Sequence, residues 1–205
     1  MNQTLVAMAV LATSLAFMAN THAQTQVGQA APQFSAVDTA GKAVSLSEFK
    51  GKYVVLEWTN PECPFVQKHY TSGNMQATQK HAFAKGVVWL SVSTSADGER
   101  DTKLATELTN WVKAQKATPT ALLMDGGKLG QAYGAKTTPH MYLIDPSGKL
   151  VYAGAIDSKP SANAGDIAAS TNYVTQAINE TAAGKPVSKP ITGAYGCSVK
   201  YASAS

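Results

Sequence analysis

Short apolar runs alternate along this chain with longer stretches whose apolar residues recur at helical spacing. Tyr53 to Trp58 and Val87 to Val92 carry apolar residues on both faces, the pattern of parallel strands covered by helices on either side. Ala121 to Met124 reads as a third short strand. Leu104, Leu108, Trp111 and Val112 share one helical face, which predicts an amphipathic helix over Thr102 to Lys116. Upstream, Phe34 to Asp38 and Lys42 to Val44 flank Thr39-Ala40-Gly41 and predict a hairpin. Ser45 and Glu48 have capping-box spacing, so a short helix follows, and Gly51 ends it.

Pro64 to about Lys85 predicts a helix broken near Ser72-Gly73, with Asn74 capping its second half. Gly130 to Tyr133 gives one or two helical turns. Thr137 to Ile144 and Leu150 to Gly154 read as partner strands joined by the turn Asp145-Pro146-Ser147-Gly148. Asn163 to Thr181 predicts a final helix with Ile167, Val174, Ala177 and Ile178 on one face. Gly184, Pro186 and Pro190 then mark an extended tail. Strands alternating with helices, then a hairpin and a helix, predict an α/β fold: a central mixed sheet flanked by helices, extended by an N-terminal hairpin.

The first residues change the picture of where this fold works. Leu5 to Ala19 is almost wholly apolar but shorter than the roughly 20 residues that span a bilayer. Thr21-His22-Ala23 supplies small residues at the two positions a signal peptidase reads. Residues 1–23 are therefore expected to be a cleaved secretory signal, 24–183 the folded domain, and 184–205 a tail carrying Cys197. That places the mature protein in the periplasm or outside the cell. No Lys or Arg precedes the apolar run, so an uncleaved membrane anchor is the alternative. No later stretch is apolar enough to span a membrane. The net charge of +4 comes from scattered lysines, with Arg100 the sole arginine. A nucleic-acid surface needs a basic stripe, and none is visible.

Two cysteines, Cys63 and Cys197, remain in an exported chain of this size. Such a domain has enough core to fold without a disulfide, which points the thiols toward chemistry. Cys63 stands where the strand ending at Trp58 breaks at Asn60-Pro61 and a helix opens at Pro64. A helix start offers unpaired N–H groups and the positive end of a dipole, both of which favour thiolate over thiol. Pro64 suits the first helical position, where its missing N–H costs nothing. In the extended tail, Tyr195, Cys197, Val199 and Tyr201 share one face, so that edge is expected to pack back on the domain.

These pieces together resemble the thioredoxin-like superfamily, and within it the redoxin or peroxiredoxin-like (AhpC/TSA-type) proteins. The matching residues are the strand–turn–Cys63–helix, Thr138-Pro139 before an apolar strand, and the Asp145-Pro146-Ser147-Gly148 hairpin. The nearest subgroup has Cys63-Pro64-Phe65-Val66 and a tail like Gly196-Cys197-Ser198-Val199-Lys200-Tyr201. The resemblance implies that Cys63 is the redox nucleophile and that Pro139 is a cis-proline facing it. A cis bond leaves the backbone of Thr138 open to pair with a substrate strand. Val66 occupies the place of the second cysteine of a CxxC motif, so a second thiol has to be Cys197. Cys197 then either resolves Cys63, or anchors the tail, or closes an inert staple. Glu57, six residues before Cys63, has the spacing of the family's buried acid. It either moves protons for the thiol or faces solvent.

The implied activity is thiol-disulfide oxidoreduction, needing no cofactor or metal, on a protein or small-molecule thiol or disulfide, with an electron donor the sequence does not name. Two alternatives stay open. A peroxiredoxin places proline seven and threonine or serine three residues before its cysteine; here those are Leu56 and Asn60, with Arg100 in a polar loop after the second strand. A copper-binding or structural module would draw on Cys63, Cys197 and His140. His69 and His81 are expected to be solvent-facing helix residues.

Overall fold

The structure, a computed structural model, describes residues 25–95 and 102–201. Alternation builds the first elements as expected: Ser35–Asp38 (β1) and Ala43–Ser45 (β2) pair antiparallel, bringing Ala36 opposite Val44 with both side chains buried. A 3-10 turn over Leu46–Phe49 follows, and the Glu48 carboxylate accepts the Ser45 backbone N–H at 2.7 Å. Val54–Trp58 (β3) is buried at every position. Pro64–Thr71 (α1) and Asn74–Ala84 (α2) are separate helices. The break falls at Ser72-Gly73, but Gly73 rather than Asn74 stands at the cap. Its φ of 77° lies where glycine alone is comfortable. The Asn74 side chain turns back to the His69 ring instead.

Val88–Thr94 (β4), Thr102–Ala114 (α3), Ala121–Asp125 (β5) and Lys128–Tyr133 (α4) complete the parallel part of the fold. Thr137–Thr138 (β6) is cut off by Pro139 from His140–Ile144 (β7), which turns into Leu150–Gly154 (β8). The expected final helix is in fact two pieces. Ala164–Ala169 is a 3-10 segment that buries nothing, and Tyr173–Ala182 (α5) is the packed helix. Asn172 starts α5 by accepting the Thr175 N–H at 2.9 Å, so Ile167 lies outside the buried stripe of Val174, Ala177 and Ile178. An Asn with helix-forming neighbours on both sides conceals a cap inside a helical pattern.

The seven-stranded sheet runs β2-β1-β5-β4-β3-β7-β8. β3 pairs parallel with β4 and antiparallel with β7, so it is the central strand. Val54, Leu56 and Trp58 face a core closed by the 3-10 turn and α4. Val55 faces a second core built with α1, α2 and α5. This is the mixed sheet with helices on both faces that the pattern predicts. Among the described residues, no helix is long and apolar enough to cross a membrane. Arg100 and the proposed signal segment lie outside the described residues.

The tail returns along β8 and ends as Cys197–Ser198 (β9), antiparallel to β6. As the alternation implies, Cys197 and Val199 pack inward while Ser198 and Lys200 are exposed. The Tyr201 hydroxyl donates to the Ala135 carbonyl at 2.6 Å and the ring lies against Gly127 and Gly130 of the α4 region.

One buried carboxylate fixes the turn into α4. Asp125 accepts backbone N–H groups from Gly127, Leu129 and Gly130 at 2.9–3.1 Å, and the Thr94 hydroxyl at 2.8 Å. Replacing it by alanine strands those donors. Asp125→Ala is expected to lower the unfolding free energy by about 3 kcal/mol, read by urea denaturation. A loss below about 1 kcal/mol would mean that water replaces the carboxylate without cost.

Candidate active site

Cys63 is the residue that caps α1: its carbonyl accepts the Val66 and Gln67 N–H groups, and Pro64 opens the first turn. The Asn60 side chain holds the preceding turn by accepting the Glu62 N–H at 2.9 Å, and the Cys63 N–H bonds the Asn60 carbonyl at 3.0 Å. The Cys63 Sγ lies 3.0 Å from the Thr138 carbonyl, to which its thiol donates. The Thr138–Pro139 bond is cis. Thr138 pairs in register with Cys197, which brings the second thiol within hydrogen-bonding reach of the first. Gly196 makes this approach feasible: its φ is 135°, and a Cβ there would lie 2.0 Å from the Thr138 carbonyl oxygen. Cys63, Cys197, Thr138 and Pro139 are thus brought together at one point. Both cysteines are free thiols.

The expected setting of Cys63 differs from the observed one in one respect. The thiol is 1% exposed, so it is not an open helix-start thiol. Burial raises its pKa, but hydrogen bonds outweigh this, chiefly from the Cys197 thiol and then from Thr138 and nearby backbone N–H groups; the net shift is downward. Cys197 moves the other way. Burial, its hydrogen bond to Cys63 and the charge developing there push it up to about 11. Of the two sulfurs, Cys63 is therefore the one that gives up its proton more readily.

Glu57 is fully buried rather than solvent-facing. It lies on the sheet face that also carries Val55, facing α1. Its oxygens accept the Tyr70 hydroxyl at 2.7 Å, the Trp89 indole N–H at 2.8 Å and the Ser91 hydroxyl at 2.8 Å. Burial raises its pKa and these donors only partly oppose that.

His140 takes no part in the cysteine cluster. Its ring stacks on Tyr142 with centroids 4.5 Å apart, on the face with Trp58 and Tyr133, whereas Cys63 packs with Val55, Val66 and Met141 on the other. Alternation along β7 decides this, since residues two apart share a face. Among the described residues no trio of His, Cys, Asp or Glu stands close enough to hold a metal ion. His81 bonds the Asn179 side chain at the surface. His69 is not a solvent-facing residue: it is fully buried, and desolvation takes its pKa down to about 4.

His69 belongs to a group that pattern alone does not reveal. Lys68, Asp157 and Tyr195 join it, with the Lys68 ammonium 3.0 Å from Asp157 across 89 residues of sequence. Only the inward face of Tyr195 was visible beforehand, through the tail's alternation. Beside the cysteines, a cavity of about 450 Å³ opens between the Asn60–Glu62 turn, α3 and the tail. Trp58, Leu108 and Trp111 give it apolar walls, and Thr138 and Ser198 form the rim nearest the thiols.

A central mixed sheet, a cysteine capping the helix after its middle strand, and a cis-proline facing that cysteine define a thioredoxin-like protein. Residues 27–153 match the AhpC/TSA family, and the chain belongs to it. It is 30% identical over 124 residues to the thiol-disulfide oxidoreductase ResA of Bacillus subtilis, a match that covers 60% of this chain and 64% of that protein. A crystal structure of a conserved Geobacillus kaustophilus protein superposes with a TM-score of 0.72 at 21% identity, over 89% of this chain and 96% of that one. The thioredoxin domain of a Bacteroides vulgatus thiol-disulfide oxidoreductase gives a TM-score of 0.52 at 25% identity, over 63% and 89% of the two chains.

The raised pKa of Glu57 sets a pH dependence. A carboxyl that is harder to ionise in the fold than in the unfolded chain favours folding most below its unfolded value, near 4.5. That contribution is lost as pH rises through the higher native value. The wild type should therefore lose stability relative to Glu57→Gln as pH rises above about 4.5. Parallel pH–denaturation curves for the two proteins would refute the shift.

Proposed function

We propose that this protein is a thiol-disulfide oxidoreductase whose working pair is Cys63 and Cys197. The observation that carries the proposal is the seating of Cys197 opposite Thr138, against the sulfur of Cys63. The names of relatives that match most of the domain support the same chemistry.

In the reducing direction, Cys63 attacks one sulfur of a substrate disulfide as thiolate. A mixed disulfide forms, and the other substrate sulfur leaves as thiolate and takes up a proton. Cys197, having given up its proton, then attacks the Cys63 sulfur. The second substrate thiol is released and a Cys63–Cys197 disulfide remains. The substrate gains two electrons and two protons, and an external dithiol returns them to the protein. The reverse sequence oxidises a substrate dithiol. Because Cys63 is almost wholly covered, a substrate sulfur reaches it only once the tail has moved from Thr138. The apolar cavity beside the pair suits the residues that flank a substrate sulfur.

Glu57 is a buried proton reservoir on the Cys63 side of the sheet in this reading, with one oxygen held by the Tyr70 hydroxyl of α1. A peroxidase reading has less support, because Leu56 and Asn60 stand where peroxiredoxins place the proline and hydroxyl that polarise peroxide.

Reduction of a peptide disulfide with dithiothreitol as electron donor tests the assignment. Cys63→Ser is expected to lose turnover by at least about 100-fold. Cys197→Ser, incubated with the peptide disulfide in the absence of dithiothreitol, is expected to accumulate a mixed disulfide at Cys63, visible by mass spectrometry. Wild-type turnover in Cys63→Ser would overturn the proposal. An absence of adduct in Cys197→Ser would remove the resolving role alone.

We also propose that the protein is exported and works in the periplasm or outside the cell, on the apolar Leu5–Ala19 run and the Thr21-His22-Ala23 sequence. N-terminal sequencing of the mature protein should begin at Gln24. Retention of Met1 in membrane fractions would favour an anchor instead.

A further inference from the structure

Phe65, Lys68 and His69 lie at i, i+3 and i+4 on α1, the helix that Cys63 caps, and so share one face of it. All three meet Tyr195, two residues before Cys197. The Phe65 and Tyr195 rings pack edge to face with centroids 5.8 Å apart. The Tyr195 hydroxyl stands 3.4 Å from the Lys68 ammonium and 3.3 Å from His69 Nε2, and it donates to Asp157. The side chains of Lys68, His69 and Asp157 are at most 1% exposed.

The group is closed on itself. Lys68 has three N–H donors and three acceptors: Asp157 at 3.0 Å, the Lys159 carbonyl at 2.9 Å and the Tyr195 hydroxyl. Asp157 also accepts the Lys159 N–H at 3.0 Å. The Asn74 amide donates to His69 Nδ1 at 2.8 Å, which leaves Nε2 to carry the proton toward Tyr195. A buried ion pair of this kind is weak evidence for stability, and its best-attested use is to set a register. Here the geometry specified is the position of one tail residue.

We propose that Tyr195 is the positioning residue for Cys197, and that Lys68, His69 and Asp157 form its socket. The inference rests on the thiol-disulfide reading above and deepens it. Tyr195 stands two residues before Cys197, with only the bend at Gly196 (φ 135°) between them, so holding Tyr195 limits where Cys197 can sit. Fixing Tyr195 fixes the register. A slip of one residue would turn Cys197 to the outer face and present Ser198 to Cys63. The two-residue ladder of β9 with β6 is too short to hold that register unaided.

Tyr195→Phe keeps the ring against Phe65 and removes only the hydroxyl. The test equilibrates wild type and variant with reduced and oxidised glutathione. One glutathione disulfide and the two protein thiols exchange for the Cys63–Cys197 disulfide and two glutathiones. In parallel, the iodoacetamide alkylation rate of Cys63 is read in the reduced proteins by peptide mass spectrometry. The variant is expected to form the disulfide with an equilibrium constant about tenfold lower, and Cys63 is expected to be alkylated about tenfold faster. Tyr195→Leu, which also loses the ring contact, should shift both further and serves if the phenylalanine variant misfolds.

Equal values in wild type and both variants would overturn the positioning role and leave the exchange chemistry standing. Failure of the wild type itself to form the disulfide would overturn the exchange reading and the positioning role with it. A melting temperature lowered without change in either readout would assign the socket to stability alone and overturn the proposal.

Discussion

The backbone of Thr138 is where the functional geometry of this protein is decided. Its carbonyl accepts the Cys63 thiol, its register partner is Cys197, and the same oxygen leaves no room for a side chain at residue 196. A short edge of strand therefore does what a substrate strand would do, but with the chain's own tail. Two paired residues supply little cohesion by themselves, so the contact depends on anchors elsewhere along the tail. Thr192 bonds the Ala155 N–H at 2.9 Å, Val199 enters the core beneath α4, and Tyr201 bonds the Ala135 carbonyl. Tyr195 lies between these anchors, two residues before the thiol as Val199 lies two after it.

The two thiols are electrostatically unlike, and the difference follows from their shared contact. Cys63 gains from the hydrogen bond that Cys197 loses by giving: one pKa falls and the other rises to about 11. The asymmetry gives an order of events. In the exchange proposed above, Cys63 ionises first and attacks first. Once its sulfur is tied up in a mixed disulfide it carries no charge, and two of the causes that hold Cys197 protonated, the hydrogen bond to Cys63 and the repulsion from it, disappear. What remains is burial, the largest of the causes, at a residue that is only partly buried. In that exchange the first step removes part of what keeps Cys197 protonated, and a thiol too easily ionised would be a poorer nucleophile.

Most of the scaffold was legible because burial and period dominate it. The strands around Val55, Leu90 and Leu143 are apolar on both faces, and only a covered sheet accepts such residues. The helix break at Gly73 and the turn at Gly148 were marked by their glycines. Asn172 was not seen, because a cap inside a helical pattern differs from a surface asparagine only in backbone geometry. At the site, the helix start at Cys63 was readable from its local setting, and the cis bond before Pro139 from the family resemblance. The nearness of Cys197 was a matter of tail packing that spacing left open. His69 was misjudged for a similar reason: a histidine next to a lysine on a helix reads as a wet face, and only Asp157 and Tyr195, remote in sequence, make that face dry.

Those same remote residues bear on why the thiol that we propose as the nucleophile is sealed at all. A covered thiolate is protected from stray oxidation, which selects exposed and ionised sulfur. The cover must still come off for exchange. A tail held by several separate contacts can open locally without unfolding the sheet, since each contact is small beside the stability of the core. Lys68 and Asp157 keep each other neutralised when Tyr195 leaves, because their ion pair and the Lys159 contacts do not involve the tail. Opening then exposes no unpaired buried charge. That is the physical advantage of building the socket from a pair that is complete without its guest: the guest is positioned tightly, yet its departure costs hydrogen bonds and ring contact rather than the desolvation of an ion.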